Sequence, residues 1–193
     1  AMGFCFFNNV ALAATYLVEN YGLERVAVVD WDVHHGNGTQ HLFEADPRVL
    51  YVSMHEDPRY FYPGTGFRHE QGRGPGEGFT LNLPMASGSG DAEYLKALEG
   101  EALPALRRFA PQFLMISAGF DAHRFDRISD QKMTRKGYGR MGRLLLDLAR
   151  ETADSRVLTV LEGGYNLTAL ANCVEQHLRL MLGQTSAEIP GPT

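Results

Sequence analysis

Residues 25–39 have the sequence RVAVVDWDVHHGNGT, in which an apolar run leads directly into acids, histidines and glycines. The apolar run predicts a buried strand. Because side chains on a strand alternate between its two faces, Asp30, Asp32 and His34 are expected on the same side. Two carboxylates and an imidazole that converge at a strand end suggest a divalent-metal site. The alternative is a solvated loop with ordinary surface residues, but the strand, the glycines and the repeated acid favour a metal.

Further apolar runs alternate with helical patterns along the rest of the chain. The strands are predicted at 25–30, 49–54, 79–83, 113–117 and 157–161. The helices are predicted at 6–21, 38–44, 92–109, 136–151 and 167–182, with the third interrupted by Pro104. Short, continuously apolar strands are typical of sheets that are covered on both faces. This alternation predicts an α/β fold with a mostly parallel sheet and helices on both faces.

Polar residues follow four of the predicted strands, at 30–35, at 53–55, at Asp121 and at 162–165. Sites in open α/β sheets lie beyond the carboxyl ends of the strands, so these residues are candidates for one site. The long loop between the second and third strands carries three aromatics at 60–62, which we expect to line a surface of that site. For its glycine-rich part, at 72–78, a mobile surface segment is at least as good an interpretation as a functional loop.

Composition places the chain among ordinary globular proteins. Its 193 residues suggest one domain with a real core, and its net charge of -5 gives no reason to expect direct binding of nucleic acid or of a membrane. No apolar run approaches the roughly 18 residues of a membrane span. The two cysteines, Cys5 and Cys173, are expected to be small core residues in a reducing, cytoplasmic compartment. The polar tail at 184–193 is expected to be flexible.

A third metal ligand is needed if the site is catalytic. Catalytic zinc sites usually have three protein ligands and one open position, and Asp32 and His34 supply two ligands. The stretch SAGFDAH at 117–123 offers Asp121 or His123 as the third. Spacing alone does not choose between these two residues.

Five motifs occur in a fixed order: GFCFFNN (3–9), DWDVHHGNGT (30–39), YPGTG (62–66), AGFDAH (118–123) and EGGYN (162–166). Together they resemble the histone deacetylase superfamily. The Asn-Asn and His-His-Gly-Asn-Gly forms are similar to its class II and bacterial amidohydrolase branches, which include acetylpolyamine amidohydrolases. The resemblance runs from Gly3 to about Leu182 and implies an arginase/deacetylase-like fold.

The resemblance also implies a chemistry. Asp32, His34 and Asp121 match the ligands of a catalytic Zn²⁺, which leaves His123 as a loop residue. Tyr165 matches the catalytic tyrosine, whose hydroxyl hydrogen-bonds the substrate carbonyl. The implied reaction is hydrolysis of an acetylated lysine peptide or an acetylated small amine by metal-activated water.

Two further sets of residues follow from the resemblance. The substrate channel would be formed by Gly3, Phe4, Tyr62, Gly163 and Gly164. A structural K⁺ beside the zinc would be bound by Asp30, Asp32, Ser53 and the carbonyls of His34 and Met54. A second monovalent cation would be bound by the carbonyls of Phe43, Asp46, Val49 and Phe79.

The family supplies acid–base groups from a His-His pair that lies just before the GFCFFNN motif. The sequence starts two residues before Gly3, so this pair and the first strands of the family's domain are absent from it. His35 is a poor substitute, because as the neighbour of His34 it should face the other way. We therefore interpret residues 1–183 as the C-terminal part of a deacetylase domain, with the N-terminal strands missing and with little expected activity.

Three functions are compatible with these patterns. The first is a zinc-dependent deacetylase, and the second is a non-catalytic deacetylase-fold module that binds acylated ligands or partners. The third, a binuclear manganese ureohydrolase, ranks well below the others because DAH at 121–123 lacks the Asp-x-Asp that such a site needs.

Overall fold

The computed structural model describes residues 2–184, and these form a five-stranded, fully parallel sheet flanked by helices. The strands are β1 (Val26–Asp30), β2 (Val49–Glu56), β3 (Thr80–Met85), β4 (Phe113–Ala118) and β5 (Val157–Leu161). Their order across the sheet is β3-β2-β1-β4-β5. Each strand lies where an apolar run predicts it, and the α/β fold class is confirmed.

The helices are α1 (Asn9–Tyr21), α2 (Asn37–Phe43), α3 (Asp91–Ala97), α4 (Leu103–Phe109), α5 (Arg135–Thr152) and α6 (Leu167–Met181). A π-helical turn at Leu98–Ala102 joins α3 to α4 directly before Pro104. Proline has no backbone N–H, so it cannot make the regular hydrogen bond of a helix interior. The interruption predicted for this helix is therefore confirmed.

Helices cover both faces of the sheet. On one face α1 and α2 share a buried cluster with strand residues that include Val28 and Met115. On the other face α3 to α6 share a larger cluster with residues that include Val29, Trp31 and Ile116. Burial of apolar side chains on both faces stabilises the central strands and fixes their register.

The central strand β1 positions the functional residues. All five of its residues are buried, and it pairs with β2 on one side and β4 on the other. Alternation continues past its end: Trp31 and Val33 enter the larger cluster, while the Asp30 carboxylate accepts a hydrogen bond at 2.9 Å from Tyr51 on the opposite side. The chain after β1 therefore brings its acids to the carboxyl edge of the sheet.

The prediction that both cysteines are core residues is wrong for one of them. Cys173 is buried in the larger cluster, but Cys5 is exposed. The reason is that residues 2–7 precede α1 on the surface, and within residues 2–184 no element covers them. An apolar composition alone does not show whether a segment is packed under another element.

The tail at 184–193 lies, apart from Gln184, outside the described residues. Within residues 2–184, no helix combines the length and the apolar character needed to cross a membrane.

Candidate metal centre

Asp32, His34 and Asp121, called here the ligand cluster, meet beyond the carboxyl ends of β1 and β4. One ligand atom from each residue lies within 4.8 Å of the other two. His34 Nδ1 is 2.9 Å from Asp32 Oδ1 and 3.2 Å from Asp121 Oδ2. Residues that are 87 positions or more apart in sequence are thus brought together by the pairing of β1 with β4.

Backbone N–H groups hold the two carboxylates in place. Asp121 Oδ1 accepts a hydrogen bond from Val33 N at 2.9 Å, and Asp32 accepts from His34 N at 2.8 Å and from Gly163 N at 2.8 Å. Asp121 Oδ2 is buried but makes no well-directed hydrogen bond, although His34 Nδ1 is near it. Buried acceptors are rarely left unpaired, so this oxygen, directed at the cluster, suits a bound cation.

The charges of the cluster depend on one proton. Burial lowers the pKa of His34, but hydrogen bonds to Asp121 and Asp32 outweigh this effect and raise it to about 10. Burial, followed by repulsion from Asp32, raises the pKa of Asp121 to about 6. At neutral pH the metal-free cluster therefore holds a His34 imidazolium against the Asp121 carboxylate. A divalent cation would take over that positive charge and displace the proton.

The structure separates the two candidates for the third ligand. Asp121 belongs to the cluster, whereas His123 Nδ1 accepts a hydrogen bond at 3.2 Å from the backbone N–H of Phe125, two residues further on. Burial lowers the pKa of His123. His123 thus caps a turn of the loop that follows β4.

Residues 162–166, called here the tyrosine turn, connect β5 to α6 and lie against the ligand cluster. A Cβ atom on Gly163 would overlap Asp121 Oδ2 and would lie 2.7 Å from Asp32 Oδ2, so only glycine allows this approach. Tyr165 is 47% exposed. Burial and the charges of Asp121 and Asp32 raise the pKa of Tyr165 to about 12, so its hydroxyl is protonated at neutral pH.

Exposed aromatic side chains surround this centre. The ring of Phe4 meets Tyr165 edge-on at 6.2 Å between centroids, and Tyr62 meets His34 at 6.2 Å. Phe61 stacks on His34 at 5.0 Å. The prediction that the aromatics at 60–62 line a site therefore agrees with the position of two of them, while Tyr60 is 86% exposed and contacts Arg59.

Residues 1–181 match the family model of the histone deacetylase domain. The chain belongs to the histone deacetylase family. It is 42% identical over 185 residues to the chloroplastic histone deacetylase 14 of Arabidopsis thaliana, covering 96% of this chain and 43% of that protein. It is 44% identical over 165 residues to a probable deacetylase of Archaeoglobus fulgidus, covering 86% of this chain and 45% of that protein.

A solved deacetylase structure has the same fold. The HDA15 HD domain superimposes with a TM-score of 0.90 at 42% identity, over 100% of this chain and 52% of that one. The five-stranded parallel sheet thus matches the arginase/deacetylase-like architecture. The chain spans about half the length, or less, of the relatives that it matches.

Two of the residues that the resemblance leads us to expect around a K⁺ lie next to the ligand cluster. Asp30 and Ser53 are register partners on β1 and β2, and Asp30 Oδ1 accepts a hydrogen bond from Asp32 N at 3.1 Å. Burial, followed by repulsion from Asp32 and Glu162, raises the pKa of Asp30 well above its usual value. A nearby cation would favour the charged form of this carboxyl group.

Three of the four carbonyls of the second expected cation site already take part in backbone hydrogen bonds. Phe43 O accepts from Asp46 N at 2.9 Å, Asp46 O from Val49 N at 3.3 Å, and Phe79 O from Tyr51 N at 3.0 Å. Each of these carbonyls has a second lone pair that the backbone hydrogen bond does not use.

A polar network that includes Gln40 and Glu70, which lie outside the quoted motifs, holds the loop bearing Tyr62. His35 bonds Thr65 at 2.8 Å and Gln40 at 2.9 Å, so it faces this loop rather than the ligand cluster. Gln40 donates to Glu70 at 2.6 Å, and the Glu70 carboxylate accepts the backbone N–H of Gly66. These hydrogen bonds hold the loop bearing Tyr62 in a defined position.

The glycine-rich part of the same loop is also anchored. The N–H of Arg73 donates to the carbonyl of Glu44 at the end of α2, and Gly76 is buried there. This part of the loop thus packs against the end of α2.

Proposed function

We propose that this chain is the metal-binding part of a zinc-dependent deacetylase, which hydrolyses the amide bond of acetyl-lysine or of a related acylated amine. The observation that carries the proposal is the ligand cluster, where Asp32, His34 and Asp121 each offer a ligand atom within 4.8 Å of the others. The tyrosine turn is hydrogen-bonded to this cluster through Gly163 N.

The donor set fits zinc. Two carboxylates and one imidazole are common Zn²⁺ ligands, and three protein ligands leave one coordination position for water or substrate. Asp121 Oδ2 is buried, and beyond its 3.2 Å contact with His34 Nδ1 it is an acceptor that a cation would satisfy. When bound here, Zn²⁺ would activate water and polarise the acetyl carbonyl.

Tyr165 supplies the second catalytic element. Because its pKa is raised to about 12, its hydroxyl is a hydrogen-bond donor at neutral pH. A donor directed at the carbonyl oxygen stabilises the negative charge that develops there in the transition state, and one such donor is typically worth about 2.7–4 kcal/mol.

Exposed side chains around the centre suit an acyl chain. Phe4 and Tyr62 are 87% and 52% exposed, and each contacts a residue of the site, Tyr165 and His34 respectively. With Gly3, Gly163 and Gly164 they would form a narrow channel. An acetylated lysine peptide and an acetylated small amine both fit such a channel.

We also propose a structural K⁺ beside the zinc, bound by Asp30, Asp32, Ser53 and the carbonyls of His34 and Met54. The raised pKa of Asp30 supports this proposal, because a cation would offset the repulsion among the carboxylates that surround it.

Residues 1–193 contain one adjacent pair of histidines, His34-His35, of which His34 is a proposed ligand and His35 faces the loop bearing Tyr62. Amide hydrolysis needs a base for the water proton and an acid for the leaving amine. We therefore expect residues 1–193 alone to bind zinc but to turn over acetylated substrate slowly.

Zinc content and turnover test these proposals together. Elemental analysis of the purified chain should find about one zinc per chain, and Asp32→Ala or His34→Ala should abolish it. The control is His41→Ala, which removes a histidine whose side chain is 78% exposed and should leave zinc content unchanged. Zinc retained by both cluster variants would contradict the assigned ligands.

Turnover of an acetyl-lysine peptide separates the remaining possibilities. A zinc-loaded chain with a kcat of about 1 s⁻¹ or faster would contradict the need for an additional acid–base pair. Tighter binding of the acetylated peptide than of its unacetylated form, without hydrolysis, would favour the hypothesis that the chain is a non-catalytic binding module.

A further inference from the structure

The tyrosine turn is fastened to the loop that joins β4 to α5. Phe120 N donates to Gly163 O at 2.7 Å, which links the starts of the two segments. Further along, the backbone N–H groups of Tyr165 and Asn166 converge on a single oxygen, Asp126 Oδ2, at 2.6 and 2.9 Å. One carboxylate thus holds the backbone of the residue that is expected to contact substrate.

Asp126 is a buried carboxylate. It is only 6% exposed, and it forms no ion pair with any residue between 2 and 184. Its other oxygen accepts the N–H of Ile128 at 3.1 Å. A buried carboxylate without a cation is costly unless hydrogen bonds offset the loss of water. Here three backbone N–H groups, two of them at the start of α6, stabilise the charge.

The position of the Tyr165 side chain depends on these backbone contacts. Its hydroxyl makes no hydrogen bond with residues 2–184, and its one ring contact there is the edge-on contact with Phe4, which is itself 87% exposed. No side-chain hydrogen bond in that range therefore sets where the phenol oxygen lies. The two N–H groups held by Asp126 are those of Tyr165 itself and of its neighbour Asn166.

We propose that Asp126 is a positioning residue for Tyr165: its carboxylate holds the tyrosine turn so that the Tyr165 hydroxyl is directed at the reacting carbonyl. Asp126 contacts neither the ligand cluster nor substrate and acts only through the backbone. The inference rests on the proposed function, in which Tyr165 donates a hydrogen bond to that carbonyl.

The test is a double-mutant cycle on the zinc-loaded 193-residue chain. The probe is a trifluoromethyl ketone with a lysine-like side chain, whose hydrate resembles the tetrahedral adduct of amide hydrolysis. Loss of one donor to such an adduct should weaken binding roughly 100-fold in Tyr165→Phe. Asp126→Ala should weaken binding by a similar factor, and the double variant should bind no more weakly than Tyr165→Phe alone.

Two measurements show that the effect is not a general loss of structure. Zinc content and zinc affinity should be unchanged in Asp126→Ala, because Asp126 lies outside the ligand cluster. The matched control is Asp130→Ala on the same loop, whose carboxylate makes only a 3.5 Å contact with Ser87. This control should leave both zinc and ketone binding unchanged.

A milder variant keeps the proposal testable if Asp126→Ala does not fold. Asp126→Asn retains one oxygen for the two N–H groups but replaces the acceptor of Ile128 N with a donor. It should weaken ketone binding several-fold, and this loss should disappear in the Tyr165→Phe background. A loss that persists in that background would mean that Asp126 acts independently of Tyr165, which would overturn the inference.

The outcomes separate the inference from the function on which it rests. If Tyr165→Phe weakens ketone binding and Asp126→Ala does not, the positioning role of Asp126 is wrong and the proposed function stands. If Tyr165→Phe has no effect on ketone binding, the role proposed for Tyr165 is wrong and the inference is overturned with it.

Discussion

The ligand cluster and the tyrosine turn lie against each other but are held in different ways. The side chains of the cluster are themselves fixed, and Asp121, which is fully buried, has its carboxylate bonded to the N–H of Val33. The Tyr165 side chain is 47% exposed, and only its backbone is anchored, at Asp126. Metal-binding geometry is thus built into side-chain contacts, whereas the direction of the tyrosine is set through the main chain.

This difference has a physical reason. A cation is bound by several charged atoms at once, so a small displacement of any ligand weakens metal binding. The ligands are therefore held by hydrogen bonds before the metal binds. A single neutral donor acts on a substrate that must enter and leave, so it stays at the exposed side of the site. Changes at the junction should therefore have larger effects than changes at the hydroxyl itself.

The largest effect is expected for Gly163→Ala, at the junction of the two regions. The added Cβ would overlap Asp121 Oδ2 and lie 2.7 Å from Asp32 Oδ2, so both ligands would have to move. We expect the loss of stoichiometric zinc by elemental analysis. We also expect the free energy of unfolding, measured by urea titration, to fall by about 1–3 kcal/mol, as is typical of overpacking.

Gly100→Ala is the matched control for this substitution. A Cβ on Gly100 meets no atom within 4 Å, and the residue lies in the π-helical turn between α3 and α4, outside the ligand cluster. Zinc content should be unchanged in this variant. Stoichiometric zinc in Gly163→Ala would show that the tyrosine turn does not constrain the ligands.

A smaller but graded effect is expected from pH. The pKa of His34 is raised to about 10 in the metal-free cluster, and that of Asp121 to about 6. Between these values a metal must displace one proton from His34, so zinc affinity should rise as pH rises. The expected slope is about ten-fold per pH unit, or roughly 100-fold from pH 6.5 to 8.5.

Competition with a chelating dye across that pH range measures the slope. The Tyr165→Phe variant should show the same slope, because the tyrosine turn carries no proton that zinc displaces. A zinc affinity that does not change with pH would contradict the imidazolium assigned to the metal-free cluster.

Most of the fold is predictable from the chain itself. The apolar runs at β1, β2 and β4 are short but continuous, and alternation past Asp30 places Trp31 and the acids on opposite sides. Cys5 is wrongly predicted to be buried because whether a surface segment is covered depends on its neighbours in space. Local pattern determines element type more reliably than it determines what lies over each element.

The site is predictable to a different extent. Spacing leaves Asp121 and His123 as equal candidates, since side-chain direction at a strand end depends on the loop that follows. Asp126 and Glu70 are not predicted at all, because each accepts backbone N–H groups, and for Asp126 these lie 39 and 40 residues away. Such contacts leave no sequence motif, because the donor is a backbone N–H, which does not depend on the side chain of the donor residue.

The smallest effect is expected for Tyr165→Phe on zinc affinity and stability. The phenol oxygen makes no hydrogen bond within residues 2–184 and is not part of the ligand cluster, so its removal should change the free energy of unfolding by less than about 0.5 kcal/mol. The control is Tyr60→Phe, which removes the same hydroxyl group from a residue that is 86% exposed. Equal melting and zinc titrations in both variants would show that the hydroxyl serves substrate alone. Weaker zinc binding in Tyr165→Phe would instead mean that the two regions share their anchoring at the side-chain level, which would remove the contrast between them.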